Sequence, residues 1–242
     1  MLFPGPLVRG RLVRRYKRFL ADVVLESGPW RGQAVTAHCP NPGAMLGLTE
    51  ANVPVWLSRS EDPKRVLPWT WELVQPAAEP ADTACLVGIN AARPNRIAEE
   101  AIGGSLVREL AGYDVIRREV RYGERSRVDL VLEKGDQRCF VEIKNVHLMR
   151  QRGRAEFPDS VTARGTRHLR ELAALAAQGV RTVVLFVAQR SDAREFAIAG
   201  DIDPAFQAAV HRAREAGVEM LCYACALSPE EIVLDRSLPV AV

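Results

Sequence analysis

The 242-residue sequence predicts a two-domain α/β protein, in which a small all-β barrel precedes a mixed sheet with helices on both faces. Residues 1–82 contain short apolar runs separated by Gly, Pro and polar residues, which is typical of a small barrel. From residue 83 onward, helical apolar periods alternate with strand-like runs, which predicts a mixed sheet. We therefore expect domains at 1–82 and 83–242, joined through the Pro- and Ala-rich stretch 75–82.

Five apolar runs predict the barrel strands: "LVRGRLV", "FLADVVLE", "AVTAHC", "VPVWLS" and "WTWELV". None of them keeps a 3.6-residue apolar period, so helices are not expected there. Trp69 and Trp71 lie two residues apart and share one strand face. They can pack in the barrel core, as aromatic side chains usually do, or stack on nucleic-acid bases.

The sequence of the second domain predicts helices and strands in the order α-β-β-β-α-β-α-β. "NRIAEEAIGGSLVREL" predicts a helix weakened by Gly103 and Gly104. "YDVIRREV", "SRVDLVLE" and "RCFVEIKNVHL" predict three strands, and the polar turn "EKGDQR" makes the last two a hairpin. "SVTARGTRHLRELAALAAQG" is a helix that stops at Gly179, and "RTVVLFVAQ" is a strand covered on both faces. "DPAFQAAVHRAREAG" is a helix with Asp203 as N-cap and Pro204 at its first position, and "VEMLCYACAL" is the last strand.

Composition excludes several classes of protein. No apolar run reaches the ~18–20 residues that span a bilayer, and the apolar run at the N-terminus is too short for a signal peptide. We expect a cytoplasmic protein without a membrane partner.

The five cysteines are then expected to be reduced. Cys222 and Cys225 form a CxxC inside a strand-like run with no second ligand pair, so buried thiols are expected rather than a metal or redox site.

The net charge is only +3, but basic residues are concentrated locally. Clustered arginines suit phosphate contacts, although a solvated surface with local bias is the alternative. The first cluster comprises Arg9, Arg11, Arg14, Arg15, Lys17 and Arg18, and the second comprises Arg150, Arg152, Arg154, Arg164, Arg167 and Arg170.

Two acids and a lysine lie in the predicted hairpin. Glu142 and Lys144 share one strand face because side chains alternate, and Asp129 lies on the preceding strand in a register that the sequence leaves open. Carboxylates on neighbouring strands suit Mg²⁺ or Mn²⁺, which activate water and offset phosphate charge. Lys144 would add a fixed positive charge. The alternative is a surface hairpin with a Glu–Lys pair.

The hairpin and its flanking helices resemble the PD-(D/E)xK nucleases. Six blocks narrow the match, because together they resemble the sugar fermentation stimulation protein A (SfsA) family: "AHCPNPGAM", "LVGINAARPN", "SRVDLVLE", "VEIKNVHL", "FPDSVTARGTRHLREL" and "DIDPAF". The resemblance implies an N-terminal OB-fold barrel, a nuclease-like C-terminal domain and DNA binding without strong sequence preference. It implies Asp129, Glu142 and Lys144 as the catalytic motif. It also implies Glu100, in preference to Glu99, as a third metal ligand beside Asp129 and Glu142.

The sequence departs from the family pattern at three positions, where Pro42, Ala91 and His147 replace an expected threonine. The departures put the phosphate contacts in doubt, not the metal site. In the loop "HCPNPGAM", Asn41 and the backbone amides are expected to hold a phosphate, with a plain tight turn as the alternative.

Arg164 and His168 lie four residues apart and therefore share a helix face. If that face looks toward the hairpin, Arg164 could contact the scissile phosphate; otherwise the face is solvated. His168 could act as an acid or base, but a lone histidine more often has a structural role. With Arg167, both belong to the predicted nucleic-acid-binding set.

The sequence therefore predicts a Mg²⁺- or Mn²⁺-dependent nuclease that acts on DNA, with RNA as a second candidate substrate and a homodimer as a candidate assembly. The alternative is a non-catalytic DNA-binding regulator of sugar (maltose) metabolism. An enzyme acting on a phosphorylated sugar has no positive support, because the sequence lacks a GxxxxGK[ST] loop.

Overall fold

A computed structural model describes residues 1–77, 85–122 and 126–241. The first part of the chain forms a sheet of six strands in the order β3-β2-β1-β4-β5-β6. Its strands are β1 (Val8–Tyr16), β2 (Leu20–Leu25), β3 (Ala34–His38), β4 (Pro54–Arg59), β5 (Trp69–Val74) and β6 (Val87–Gly88).

A pairing of His38 with Thr70 joins β3 to β5, which closes the first five strands into a barrel. The predicted barrel and its five strands are confirmed. Trp69 and Trp71 are buried in its core, so they do not offer their faces to bases. The sequence missed β6 because two residues carry no periodic signal. The predicted domain boundary at 82/83 lies outside the described residues.

The second sheet has the order β15-β14-β12-β9-β8-β7. β7, β8 and β9 are antiparallel, whereas β12 runs parallel to both β9 and β14. Its strands are β7 (Val115–Tyr122), β8 (Ser126–Lys134), β9 (Gln137–Val146), β12 (Arg181–Ala188), β14 (Glu219–Leu227) and β15 (Ile232–Ser237).

Within the described residues, three helices cover this sheet: α1 (Pro94–Gly103), α2 (Ala163–Ala176) and α3 (Pro204–Glu215). The apolar face of α1 packs on one side and those of α2 and α3 on the other, as predicted. α1 is shorter than its predicted span. Two successive glycines weaken the helix where it ends, and Ser105 then takes a left-handed φ of 57°.

A small third sheet, in the order β10-β11-β13-β16, was not predicted. Its strands are four residues or shorter, and β11 and β13 pair across a long stretch of chain, so no local pattern reveals them. They are β10 (Leu148–Gln151), β11 (Arg154–Phe157), β13 (Glu195–Ile198) and β16 (Val240–Ala241).

Cys222 and Cys225 are buried thiols on opposite faces of β14, so they form no joint site. Burial raises the pKa of both. None of the helices in the described part of the chain is long and apolar enough to cross a membrane.

Candidate active site

The hairpin register places Asp129 opposite Glu142. Pairing of β8 with β9 runs from Lys134 and Gln137 to Leu130 and Val141, and the ladder ends there. The next residues, Asp129 and Glu142, therefore stand at the point where the two strands separate. The Asp129 side chain replaces the missing ladder bond, because its Oδ2 accepts a hydrogen bond from the Ile143 N–H at 2.7 Å.

Glu142 is the centre of the polar cluster and is only 2% exposed. Its Oε1 accepts hydrogen bonds from Lys144 Nζ at 2.6 Å and from His168 Nδ1 at 2.5 Å. Burial by itself would raise the pKa of Glu142, but the bonds from His168 and Lys144 outweigh it and lower that pKa. Glu142 is therefore a carboxylate. Its Oε2 is buried and has no hydrogen-bond partner among the described residues.

Asp129 is held by a second donor, Asn95 of α1, whose Nδ2 lies 2.9 Å from Oδ1. Burial raises the pKa of Asp129, and so does the negative charge of Glu142. Asp129 and Glu142 therefore repel each other across the gap between the strands, and Glu142 has a buried oxygen without a partner among the described residues. A hard cation bound between them would offset this repulsion.

The described residues contain no group of three or more His, Cys, Asp and Glu side chains arranged to hold a metal ion. A cation at Asp129 and Glu142 would therefore take two carboxylates and complete its shell with water and phosphate. Mg²⁺ commonly binds in that way. The donor set consequently fits Mg²⁺ or Mn²⁺ better than a metal that needs a full protein cage.

The first turns of α2 face the hairpin. Thr162 caps this helix through its Oγ1, which accepts from the Gly165 N–H. His168 reaches Glu142 from the second turn, and Arg164 Nε lies 3.4 Å from His168 Nε2. Arg164 is exposed, and its contact to the site runs through His168. The structure also brings His168 into the site.

Glu100 lies elsewhere. Its carboxylate pairs with the Met1 ammonium at 2.8 Å and with Arg96 at 2.8 Å. Glu99 pairs with Arg118 at 2.7 Å and lines a cavity of about 200 Å³ together with Asn95 and Asp129. The sequence preference for Glu100 over Glu99 therefore disagrees with this geometry, because Asn95 and Glu99, four residues apart, form the helix face toward Asp129.

Three residues beside the acids were missed from the sequence. Asn95 could have been found, because it lies one turn before Glu99. Tyr122 and Glu171 gave no such signal. The Tyr122 hydroxyl and Glu171 Oε2 are buried without a hydrogen-bond partner in the described structure. Burial raises the pKa of Tyr122, and the negative charges of Glu142 and Glu171 raise it further.

The first basic cluster divides by the partners of its side chains. Arg9, Arg11 and Arg14 pair with Glu26 or Asp22. Arg15 donates hydrogen bonds to backbone carbonyls of the described residues. The side chains that form neither hydrogen bonds nor ion pairs with the described residues are Lys17 and Arg18.

The second basic cluster divides in the same way. Arg150 pairs with Glu156 and Asp201, and Arg154 lies 4.0 Å from Glu195. The members without an ion-pair partner among the described residues leave their charge available to phosphates. These are Arg152, Arg164, Arg167 and Arg170.

The loop 39–45 connects the barrel to this site. Asn41 is buried, and its amide donates to the Ile89 carbonyl and accepts from the Gly43 N–H, so the fold itself uses the side chain. The Met45 N–H donates to Asp159 Oδ2 at 3.0 Å. The predicted phosphate-binding loop thus makes structural contacts and packs against the second domain at Asp159.

His147, at one of the three departures from the family pattern, contacts the same aspartate as the loop 39–45. It directly follows β9, and its Nε2 lies 3.1 Å from Asp159 Oδ2. Burial would raise the pKa of Asp159, but the bonds from His147 and the Met45 amide hold it at about 2. The strand that carries Glu142 and Lys144 is thereby tied to the barrel loop.

Comparison with known proteins finds a match for each of the two parts of the chain. The family model described as the SfsA N-terminal OB domain matches residues 13–89. The model described as the sugar fermentation stimulation protein RE domain matches residues 92–231. Both predicted fold types are therefore in agreement with the family models.

Relatives and a solved structure cover nearly the whole chain. The sugar fermentation stimulation protein homolog of Rhodospirillum centenum is 52% identical over 98% of both chains. That of Maricaulis maris is 50% identical over 99% of this chain and 98% of its own. The structure of Pyrococcus furiosus SfsA in complex with Ca²⁺ superposes with a TM-score of 0.87 at 26% identity, covering 100% of this chain and 98% of that one. The chain belongs to the sugar fermentation stimulation protein (SfsA) family.

Proposed function

We propose that this protein is a divalent-metal-dependent nuclease of the cytoplasm, which hydrolyses phosphodiester bonds in DNA or RNA with little sequence preference. One observation carries the proposal. Glu142 presents a buried, ionised oxygen without a partner among the described residues at the point where β8 and β9 separate, with Asp129 opposite and Lys144 on its other oxygen.

Mg²⁺ or Mn²⁺ is the proposed cofactor, held by Asp129 and Glu142. The Pyrococcus furiosus SfsA structure is a complex with Ca²⁺, another hard cation with a preference for oxygen ligands. When bound, such a metal lowers the pKa of water and offsets charge on the phosphate.

The side chains around the acids have separable roles in this proposal. Asn95 and the Ile143 amide fix the orientation of Asp129. His168 holds Glu142 from the helix side, which keeps the unpartnered Oε2 directed into the gap. Lys144 is mostly buried and would hold the attacking water or a phosphate oxygen with its ammonium group.

Nucleic acid is the proposed substrate because cations without an ion-pair partner in the described structure occur on both domains. Lys17 and Arg18 lie on the barrel, and Arg164 and Arg167 lie on the helix that contacts Glu142. Lysine and arginine side chains of this kind bind phosphates rather than bases, so binding is expected to depend little on the nucleotide sequence. Binding should accordingly weaken steeply as salt increases.

A cleavage panel tests the proposal. Purified protein is incubated with labelled single- and double-stranded DNA and RNA, in Mg²⁺, in Mn²⁺ and in excess EDTA. Lys144→Ala should abolish cleavage and leave binding largely intact. Lys134→Ala is the matched control, because Lys134 is an exposed lysine at the far end of the same hairpin. Full cleavage by Lys144→Ala, or by the wild type in EDTA, would refute the nuclease proposal.

A second candidate is a DNA-binding regulator of sugar (maltose) metabolism with an inactive site. Two observations favour it. Lys144 and His168 both bond the same oxygen of Glu142, and only two acids meet without a third ligand among the described residues. Binding without product in every metal of the panel would support this candidate.

A further inference from the structure

The turn between β1 and β2 carries an exposed aromatic side chain next to two cations. Phe19 is 45% exposed at this turn. It directly follows Lys17 and Arg18, whose side chains form no hydrogen bond or ion pair with the described residues. An exposed ring beside two such cations is the combination with which proteins hold single strands, because bases stack on the ring and phosphates meet the cations.

The backbone of this turn is fixed. Lys17 and Arg18 both adopt left-handed φ values, 49° and 62°, which non-glycine residues keep only where the surroundings impose them. The surroundings here are hydrogen bonds. The Phe19 N–H donates to the Lys17 carbonyl at 2.7 Å, and the Cys39 N–H donates to the Phe19 carbonyl at 2.8 Å. The backbone on both sides of the ring is therefore held by hydrogen bonds.

Arg15 links this turn to the loop at the active site. Its Nε donates to the Arg18 carbonyl at 2.9 Å, and its terminal nitrogens donate to the carbonyls of Asn41, Gly43 and Ala44. All of these bonds end on backbone oxygens, so Arg15 acts as a positioning residue rather than as a phosphate ligand.

The same loop continues to the catalytic strand. Met45 bonds Asp159, and Asp159 bonds His147 directly after β9. Gly43 packs so closely on Asp159 that a Cβ at this position would overlap the carboxylate. Hydrogen bonds and the intervening backbone thus connect the turn that carries Phe19 to His147, which directly follows the strand of Glu142 and Lys144.

We propose that Phe19 is a stacking platform for an unpaired base, and that the substrate of the proposed nuclease is single-stranded nucleic acid. Lys17 and Arg18 contact the phosphates on either side of that base. A duplex keeps its bases stacked inside, so it can reach the two cations but not the ring. The inference rests on the proposed function for its nucleic-acid partner, and it adds strand selectivity.

Binding in EDTA tests the inference independently of cleavage. Fluorescence anisotropy compares labelled oligo(dT) with a duplex of the same length, for the wild type and for Phe19→Ala. Loss of one stacked base should weaken oligo(dT) binding about tenfold and leave duplex binding nearly unchanged. Phe19→Trp, which keeps an aromatic face, should bind oligo(dT) as well as the wild type or better.

Val13→Ala is the matched control, because Val13 is an apolar residue of β1 with 48% exposure and lies outside the turn. It should leave both affinities unchanged. Thermal melts check that each variant is folded. Unchanged oligo(dT) binding by folded Phe19→Ala, or equal loss for duplex and single strand, would overturn this inference and leave the nuclease proposal standing. Wild-type protein that binds neither probe would overturn this inference, and the cleavage panel with DNA and RNA would then decide the nuclease proposal.

Discussion

Replacing Glu142 by glutamine removes one charge and leaves an acceptor for both hydrogen bonds that the side chain accepts. The amide oxygen can take the place of Oε1, which accepts from Lys144 and His168. The amide nitrogen then takes the place of Oε2, which has no partner among the described residues. Glu142→Gln is therefore expected to fold, and it removes a metal ligand.

The cost in stability follows from the two bonds. A hydrogen bond to a charged group contributes about 1.5–3 kcal/mol and a neutral one about 0.5–1.5 kcal/mol, so two weakened bonds cost roughly 2–3 kcal/mol. Relief of the repulsion that raises the pKa of Asp129 offsets part of this loss. We expect the metal-free variant to be less stable by about 1–2 kcal/mol.

The rise in melting temperature on adding metal should distinguish Glu142→Gln from the wild type more clearly than the loss of stability does. Free metal at ~100 times its dissociation constant should stabilise the wild type by about 2.7 kcal/mol. For a chain of this size that raises the melting temperature by about 5–10 °C. Calorimetric melts with and without Mn²⁺ measure it, and Glu142→Gln should show almost no rise.

Glu26→Gln is the control, because Glu26 is a part-exposed barrel glutamate that pairs with Arg9 and Arg11. It should respond to Mn²⁺ as the wild type does. Equal stabilisation of Glu142→Gln and wild type by Mn²⁺ would refute the assignment of Glu142 as a metal ligand. A wild type that does not respond at all would contradict the metal proposal as a whole.

Two further predictions concern the contacts between the domains. Glu72 of β5 is fully buried and binds the Arg93 guanidinium with both oxygens. Because Glu72→Gln breaks this buried ion pair, it should lower the free energy of unfolding by about 3 kcal/mol in a urea titration. The control Glu26→Gln, which alters a part-exposed pair, should lower it by less than about 1 kcal/mol. The pKa of Asp159 is about 2 against an ordinary 3.8, which corresponds to about 2 kcal/mol of stability that is present above about pH 4 and lost as the pH falls toward 2. Asp159→Asn should therefore lose about that amount at neutral pH and show a flatter decline in acid, and identical acid profiles of variant and wild type in urea would contradict the role of its bond to His147.

The hairpin shows how much of the site the sequence could predict. Strand alternation put Glu142 and Lys144 on one face, but the turn could be placed at several positions within "EKGDQR". The structure closes it with two residues, Gly135 and Asp136, and Gly135 has a left-handed φ of 55°. That choice pairs Lys134 with Gln137 and so determines every later pair, including the approach of Asp129 to Glu142.

The choice between two adjacent glutamates could not be made from the sequence. Glu99 and Glu100 point about 100° apart around α1, and only the rotation of the helix decides which one faces the acids. The apolar face of α1 packs on the sheet, and the resulting rotation brings Asn95 to Asp129 and Glu100 to the Met1 ammonium. Both contacts are made between parts of the chain far apart in sequence, where no local pattern can reveal them.

The barrel contributes more to the site than a binding surface. Arg93, which Glu72 of the barrel holds, directly precedes α1, the helix that carries Asn95 to Asp129. Asp159, which the loop 39–45 holds, lies shortly before α2, the helix that carries His168 to Glu142. The barrel is thus attached near the first turn of both helices that line the acids. Because each attachment uses buried or part-buried charged groups, a shift of the barrel would move both helices, and the geometry at Asp129 and Glu142 depends on the two domains together.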